Sequence, residues 1–178
     1  MLKKIMLLAL SLALVLCAAS AFAEAAEEAE MHTLQVNKSF EIQSRIPEGY
    51  NFMPIVDTEL NLVGLLKGGE DQPMVTVSIA YNDEYAEVER INDVDETTVG
   101  LICDSFLELD DVSFEDLETA YGTRLLKVTD SDKSFVDIYT IYKGYELEFV
   151  ITHDPEVTEA DVQMLVDFIS DMQFVTLD

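Results

Sequence analysis

Two apolar runs separated by a single dipeptide constrain the fold of this chain more than any other feature. The runs cover residues 134–142 and 145–152, and Lys143-Gly144 lies between them. A two-residue loop joins neighbouring antiparallel strands, because parallel strands need a long crossover connection. The sequence therefore predicts a β-hairpin here, and the other elements have to pack around it.

The loop length also predicts which side chains share a face of that hairpin. Tyr142 should lie opposite Tyr145, and strict alternation then assigns the remaining side chains. The apolar face receives Val136, Ile138, Thr140, Leu147, Phe149 and Ile151, and the mixed face receives Asp137, Tyr139, Ile141, Glu146, Glu148 and Val150. Slipping by one residue would bring Glu146 and Glu148 to the apolar face, so burial specifies the register. Gly144 is expected to adopt a positive φ.

Further strands and two amphipathic helices complete the expected domain. Strands are predicted over residues 40–42, 60–66, 74–81, 112–120 and 123–128, with a tight reversal at Tyr121-Gly122. A first helix is predicted over residues 94–109, capped by Asp93 with Glu96 three residues later. Residues 174–177 are predicted to form a short strand or packed tail.

The second helix has the clearest pattern. Thr158 should cap it, with Asp161 in the matching position three residues later. Its buried stripe is Val162, Leu165, Phe168, Ile169 and Met172. Tight turns between successive strands imply antiparallel pairing, so the fold class is α+β: an antiparallel β-sheet with two main helices packed on it.

Residues 1–23 have the features of a secretory signal peptide. Two lysines precede an apolar run of about a dozen residues, which is too short to span a bilayer. Ala21-Phe22-Ala23 has small residues at the cleavage positions, so we predict cleavage after Ala23 and a secreted, extracytoplasmic protein. The alternative is lipid attachment at Cys17, but bulky Leu16 stands where a lipoprotein signal carries a small residue.

Acidic residues dominate the predicted mature chain. The full chain has 36 acidic and 10 basic residues and a net charge of −26, and loss of Lys3 and Lys4 with the signal peptide takes this to −28. A polyanionic surface is repelled by nucleic acid and by anionic lipid, so neither is expected as a partner. Residues 24–34 are predicted to form an acidic, disordered tether, and residues 35–178 a single domain.

One cysteine, Cys103, remains after the predicted cleavage. It cannot form an internal disulfide, so this exported domain has to depend on its apolar core. Cys103 follows Leu101 and Ile102 on the expected buried side of the first helix, where burial explains it better than catalysis.

The order of elements is strands, helix, four-strand meander, helix and terminal strand. With the segment Ile46-Pro47-Glu48-Gly49-Tyr50 after a first strand, and Met172-Gln173-Phe174 closing the last helix, it resembles the PsbP-like family over residues 40–177. That family includes photosystem accessory proteins and exported bacterial proteins such as DcrB. The resemblance implies an α/β/α sandwich and mostly non-enzymatic accessory or binding roles, and it brings no catalytic set.

Motifs for catalysis and phosphate binding are absent from the sequence. There is no Gly-x-Ser-x-Gly, His-Glu-x-x-His, Cys-x-x-Cys or phosphate-binding loop. His153, Asp154 and Glu156 could supply part of a metal site, and the alternative is a surface loop with a turn at Pro155. Residues 130–134 begin like a calcium loop, but Phe135 and Ile141 stand where such a loop needs glycine and glutamate.

Three functions therefore remain open. The first is a non-catalytic binding or accessory domain of the cell envelope with an unknown protein or envelope component as partner. An exposed apolar patch would favour it, with four candidate tyrosines: Tyr81, Tyr85, Tyr121 and Tyr139. The second is a calcium-binding protein, and no other cofactor is expected. The third is a hydrolase of unknown substrate, which needs a cleft with a perturbed acid near His153 or Cys103.

Mass spectrometry of the secreted protein tests the predicted processing. We expect a mature amino terminus at Glu24, because the small residues of Ala21-Phe22-Ala23 suit signal peptidase. A diacylated Cys17 at the amino terminus would contradict this prediction.

Overall fold

The computed structural model describes residues 31–35, 40–57, 62–106 and 111–176. The predicted signal peptide, including Cys17 and Ala23, lies outside these residues, and so does most of the predicted tether. No helix among the described residues is long and apolar enough to cross a membrane.

Ten strands and two α-helices form in the described part of the chain. In chain order they are β1 Met31–Gln35, β2 Phe40–Arg45, β3 Asn51–Asp57, β4 Leu62–Lys67, β5 Met74–Tyr81, α1 Glu96–Phe106, β6 Val112–Glu118, β7 Arg124–Asp130, β8 Phe135–Tyr142, β9 Tyr145–Thr152, α2 Glu159–Ser170 and β10 Gln173–Thr176. Seven strands pair in the order β3-β4-β5-β9-β8-β7-β6, and β1-β2-β10 form a second sheet. All neighbouring strands are antiparallel.

The predicted hairpin is confirmed in both register and turn. Tyr142 lies opposite Tyr145, and Val136 lies opposite Ile151. Lys143 and Gly144 have φ values of 49° and 77°, the pair of positive angles that a type I′ turn requires. This turn matches the right-handed twist of the two strands, so β8 and β9 pair along their whole length.

Strand β9 lies in the middle of the large sheet because its other edge pairs with β5. This pairing runs from Met74 opposite Thr152 to Tyr81 opposite Tyr145. It joins the predicted hairpin of β4 and β5 to the meander of β6 to β9. The sequence predicts both of these units, and their junction is a finding of the structure.

Helix α2 covers the apolar face of the sheet, as predicted. The Thr158 hydroxyl accepts from the backbone N–H of Asp161, whose carboxylate accepts from the backbone N–H of Thr158, so the capping box is confirmed. Sheet and helix share one buried cluster, in which the rings of Phe149 and Phe168 lie 6.5 Å apart. The predicted stripe is buried, Val166 is buried with it, and Ile42 of β2 joins the same cluster.

Helix α1 packs on the opposite face of the sheet, so the predicted α/β/α sandwich is confirmed. Val99 and Ile102 of the helix bury against Leu126, Tyr139 and Ile141 of β7 and β8. The Arg124 guanidinium also joins this helix to the sheet. Its Nε lies 2.7 Å from Asp116 Oδ1 on β6, and its Nη1 lies 3.0 Å from Glu96 Oε1 at the start of α1.

The predicted start and cap of the first helix are wrong by two residues. Asp95 caps it, since Oδ1 of Asp95 accepts from the backbone N–H groups of Thr97 and Thr98. Asp93 instead closes a short 3₁₀ turn by accepting from the backbone N–H of Arg90. Two aspartates within three residues both suit a helix cap, and only the tertiary path of the chain decides between them.

Two strands lie where the sequence predicts none. The sequence assigns residues 31–34 to the disordered tether, but they belong to β1, with Met31 opposite Arg45 of β2. In β3, Pro54 lies opposite Gly64, and the register shifts between Pro54 and Asp57. Proline argues against a central strand, but β3 is an outer strand of the sheet as described, where proline is tolerated.

Two glycine substitutions are expected to change stability in opposite directions. Gly144→Val should lower the free energy of unfolding by at least about 1–2 kcal/mol, because a left-handed φ is unfavourable for residues with a Cβ. An added Cβ would also lie 2.9 Å from the Tyr81 ring. At Gly100 of α1 no atom lies within 4 Å of an added Cβ, so Gly100→Ala should raise stability by up to about 1 kcal/mol.

Urea denaturation of both variants measures these changes. An unchanged midpoint for Gly144→Val would contradict the strained turn.

Candidate functional site

Two of the grooves formed by the described residues have distinct chemistry. The first, which we call the apolar groove, lies between the β6–β7 turn, the end of β8, the end of α2 and β10, and has a volume of about 280 Å³. Its apolar lining consists of Tyr121, Ile141, Tyr142, Ile169, Met172 and Phe174. Arg90, three threonines, Ser170 and Gln173 supply its polar atoms.

Tyr121 is the most exposed aromatic residue of the apolar groove. It is 75% exposed and occupies the tip of the β6–β7 turn. Gly122 has a φ of 78°, and its backbone N–H donates to the carbonyl of Thr119, which makes the predicted reversal tight. Sequence reasoning names Tyr121 as a candidate for an exposed patch, and the structure places it at such a surface.

Neighbouring elements hold this turn from two sides. The backbone N–H of Ala120 donates to the Ser170 hydroxyl of α2, at 3.3 Å. The Asn92 side-chain amide donates to the carbonyl of Gly122, at 3.0 Å. Tyr121 is therefore presented on a fixed backbone, and binding there would not require ordering of the turn.

The second groove, which we call the acidic groove, lies on the α1 face of the sheet. It has a volume of about 290 Å³. Its lining is Ser78, Ile79 and Ala80 of β5, Ser105 and Phe106 of α1, Tyr139 of β8, and Glu146 and Glu148 of β9. The described residues of α1 pack over β7 and β8, and these residues leave the surface above β5 and β9 uncovered.

Glu146 is held in place by two hydrogen bonds. The Tyr139 hydroxyl donates to its Oε1 at 2.6 Å, and the Asn82 side-chain amide donates to its Oε2 at 3.1 Å. Burial, and then the hydrogen bond to Glu146, raise the pKa of Tyr139 above the usual range of a tyrosine. The tyrosine therefore keeps its proton and remains a donor to this carboxylate.

Asp137 and Glu148 form a carboxyl pair. Asp137 is only 4% exposed. Its burial, and then the hydrogen bond and the charge of Glu148, raise the pKa of Asp137 to about 9. Asp137 therefore holds a proton at neutral pH. Oδ1 of Asp137 is buried and has no hydrogen-bond partner.

The predicted metal ligands lie in the loop before α2. Nδ1 of His153 lies 3.1 Å from Oδ2 of Asp161, while Asp154 and Glu156 are exposed. Burial opposes the charge of Asp161, but hydrogen bonds from Thr158 and His153 outweigh it and lower the pKa of Asp161. The described residues contain no group of three or more histidine, cysteine or acidic side chains arranged to hold a metal. The metal site at His153, Asp154 and Glu156 stays a prediction.

The calcium-like segment forms the turn between β7 and β8. Oδ1 of Asp130 accepts from the backbone N–H of Phe135, and Oδ2 accepts from the Ser134 hydroxyl. Asp132 accepts from the backbone N–H of Ser134. These carboxylates thus satisfy the backbone of their own turn, in the manner of Asx turns.

Cys103 is half-buried and packs with the α1 cluster. Burial, and then the charge of Asp116, raise the pKa of its thiol above the usual range. A thiol with a raised pKa forms little thiolate at neutral pH, which disfavours a nucleophilic role.

The acidic groove was not identified from the sequence as a site. The register assigns Asp137, Glu146 and Glu148 to one face, and three acids on one face of a hairpin are the signal that could have marked it. Their approach to Ser78 and Ala80 depends on the pairing of β9 with β5, which is not visible in the local pattern.

Comparison with known proteins gives a likeness of fold. No protein-family model matches the chain, and no curated protein matches it. Among solved structures, the chain is similar to the solution structure of cyanobacterial PsbP (CyanoP) from Synechocystis sp. PCC 6803. The identity is 14%, the match covers 82% of this chain and 92% of that one, and the TM-score is 0.45. The order of elements was predicted to resemble the PsbP-like family, to which this solved structure belongs by its name. The likeness of fold does not indicate a function.

Asp137→Asn is expected to change how stability depends on pH. The pKa of Asp137 is raised on folding, so its protonated form favours the folded state fully at low pH. In the wild type this contribution is lost as the pH rises from about 4 towards about 9, by up to about 1.4 kcal/mol per pH unit. Asparagine does not titrate, so the variant should gain stability relative to the wild type between pH 5 and pH 8.

Urea denaturation at several pH values measures this difference. Asp71→Asn, at an exposed position in the β4–β5 loop, is the matched control and should follow the wild type throughout. If the stability of the wild type and that of Asp137→Asn change in parallel with pH, Asp137 is ionised in the folded protein. That result would contradict the prediction.

Proposed function

We propose that this chain is an exported, non-catalytic domain that binds a segment of a partner protein of the cell envelope in the apolar groove. The observation that carries this is Tyr121, an aromatic residue three-quarters exposed at a groove lined by apolar side chains. Exposed aromatic residues beside apolar pockets are typical of binding hot spots, because they bury a large area on contact.

The size and lining of the apolar groove favour a peptide segment with one or two apolar side chains. Its volume of about 280 Å³ is just below the range of about 300–1,000 Å³ that is typical of ligand sites. Tyr142 and Phe174 stack with ring centroids 4.0 Å apart and form part of its wall. Hydroxyl groups of threonines and Ser170 can accept or donate hydrogen bonds to the backbone of such a segment.

Charge further defines the partner. Among the described residues, no acidic side chain lies within 4.0 Å of the Arg90 guanidinium. Arg90 can therefore receive a carboxylate of the bound segment. Elsewhere the chain is strongly acidic, so the partner around that segment should be neutral or basic.

Export rests on residues 1–23, whose pattern is that of a secretory signal. An extracytoplasmic position brings the domain into contact with envelope proteins, and the tether after the signal would add to its reach. Calcium binding and hydrolase activity stay predictions. Neither His153 nor Cys103 lines the apolar groove or the acidic groove.

A peptide selection tests the proposed function. Random peptides displayed on phage are selected against the immobilised protein, and the affinity of a selected synthetic peptide is measured by calorimetry. Tyr121→Ala should weaken binding at least about tenfold, because loss of a central aromatic residue costs at least about 1.4 kcal/mol.

Leu101→Ala is the matched control, since Leu101 is 64% exposed but lies on α1. It should leave the affinity unchanged. Selected peptides that bind Tyr121→Ala and the wild type equally would place binding elsewhere and contradict the proposal.

A further inference from the structure

The acidic groove holds negative charge that no basic side chain of the described residues balances. Lys127 and Arg124 pair with other acids, on β6 and on the two helices. None of the ion pairs formed by the described residues involves Asp137, Glu146 or Glu148. Closely spaced carboxyls without a cation raise the free energy of the folded protein, and a bound cation would lower it.

A buried carboxyl group lies next to the acidic groove. Asp137 lies on the same face of the sheet as Tyr139 and Glu148, and its carboxyl contacts that of Glu148, which lines the groove. Its Oδ1 is buried without a hydrogen-bond partner, although most buried polar atoms have one.

The walls of the acidic groove suit an organic cation. The rings of Phe106 and Tyr139 meet edge to face, with centroids 6.0 Å apart, and both line the groove. Aromatic rings attract ammonium groups and also pack against alkyl chains.

A serine hydroxyl group of the acidic groove can accept a hydrogen bond from the same ligand. The Ser105 hydroxyl donates to the carbonyl of Ile102 at 2.6 Å, so its oxygen remains able to accept from an ammonium group. Ser78 lines the opposite side, on β5. Calcium, by contrast, needs six to eight oxygen ligands close together, and a volume of about 290 Å³ far exceeds a single ion.

We propose that the acidic groove binds a primary alkylammonium ligand. Glu148 and Glu146 receive the ammonium group, Ser105 accepts a further hydrogen bond, and the alkyl chain lies along Phe106 and Tyr139. This site is separate from the apolar groove. The proposal of an alkylammonium site does not depend on whether a partner protein binds in the apolar groove. An ammonium head with an alkyl chain is the chemistry of small amines and of free lysine-like compounds.

Titration with n-pentylammonium chloride, followed by amide chemical shifts in NMR, tests the site in the purified protein. We expect saturable shifts at Ser78, Ala80 and Ser105. Glu148→Gln should weaken binding at least about tenfold, because it removes the charge-assisted hydrogen bond. Glu70→Gln removes the same charge at an exposed position in the β4–β5 loop and should weaken binding less than about twofold.

Two further arms complete the experiment. The uncharged analogue 1-pentanol should bind at least about tenfold more weakly than pentylammonium. Ser105→Lys, at an exposed position, puts a tethered ammonium into the groove and should abolish binding, so the test stands even where Glu148→Gln fails to fold. Equal losses in Glu148→Gln and Glu70→Gln, equal binding of 1-pentanol, or saturable shifts with calcium chloride alone would each overturn the proposal.

Discussion

The structure depends on the position of β9, which pairs with β8 on one edge and with β5 on the other. Its alternation sends Leu147, Phe149 and Ile151 to one face, where all three are fully buried. Burial of each such side chain contributes about 1.5–3 kcal/mol relative to exposure. The same alternation sends Glu146 and Glu148 to the other face, so the register that builds the core also assembles the carboxyl groups of the acidic groove.

Unequal coverage of the two faces explains where the candidate sites lie. Helix α2 and β2 cover the apolar face, and the apolar groove opens only where α2 ends, beside the β6–β7 turn. On the other face the described part of α1 covers β7 and β8, because its buried residues meet Leu126, Tyr139 and Ile141. The surface above β5 and β9 is left with polar and acidic side chains. Each groove thus marks the boundary of a helix that covers part of a sheet.

Local patterns predicted the parts of the fold that local interactions determine. The hairpin at Lys143-Gly144 and the cap at Thr158 were both predictable, since turn geometry and capping act within a few residues. The pairing of β5 with β9 joins residues about 70 apart in sequence, and alternation within each strand does not specify it. For the same reason Tyr121 could be named from its turn, whereas the carboxyl pair of Asp137 and Glu148 could not.

The outer strands of the large sheet, as described, bear on how the protein behaves at high concentration. Strand β6 carries the acidic residues Glu115, Asp116 and Glu118, and β3 is interrupted by Pro54 and by a shift of register. Exposed strand edges are templates for aggregation, and like charges, proline and bulges each block the addition of a strand from another molecule. Fibril formation is therefore opposed at both outer strands. Charge repulsion opposes it at β6, and the missing hydrogen-bond donor of Pro54 opposes it at β3.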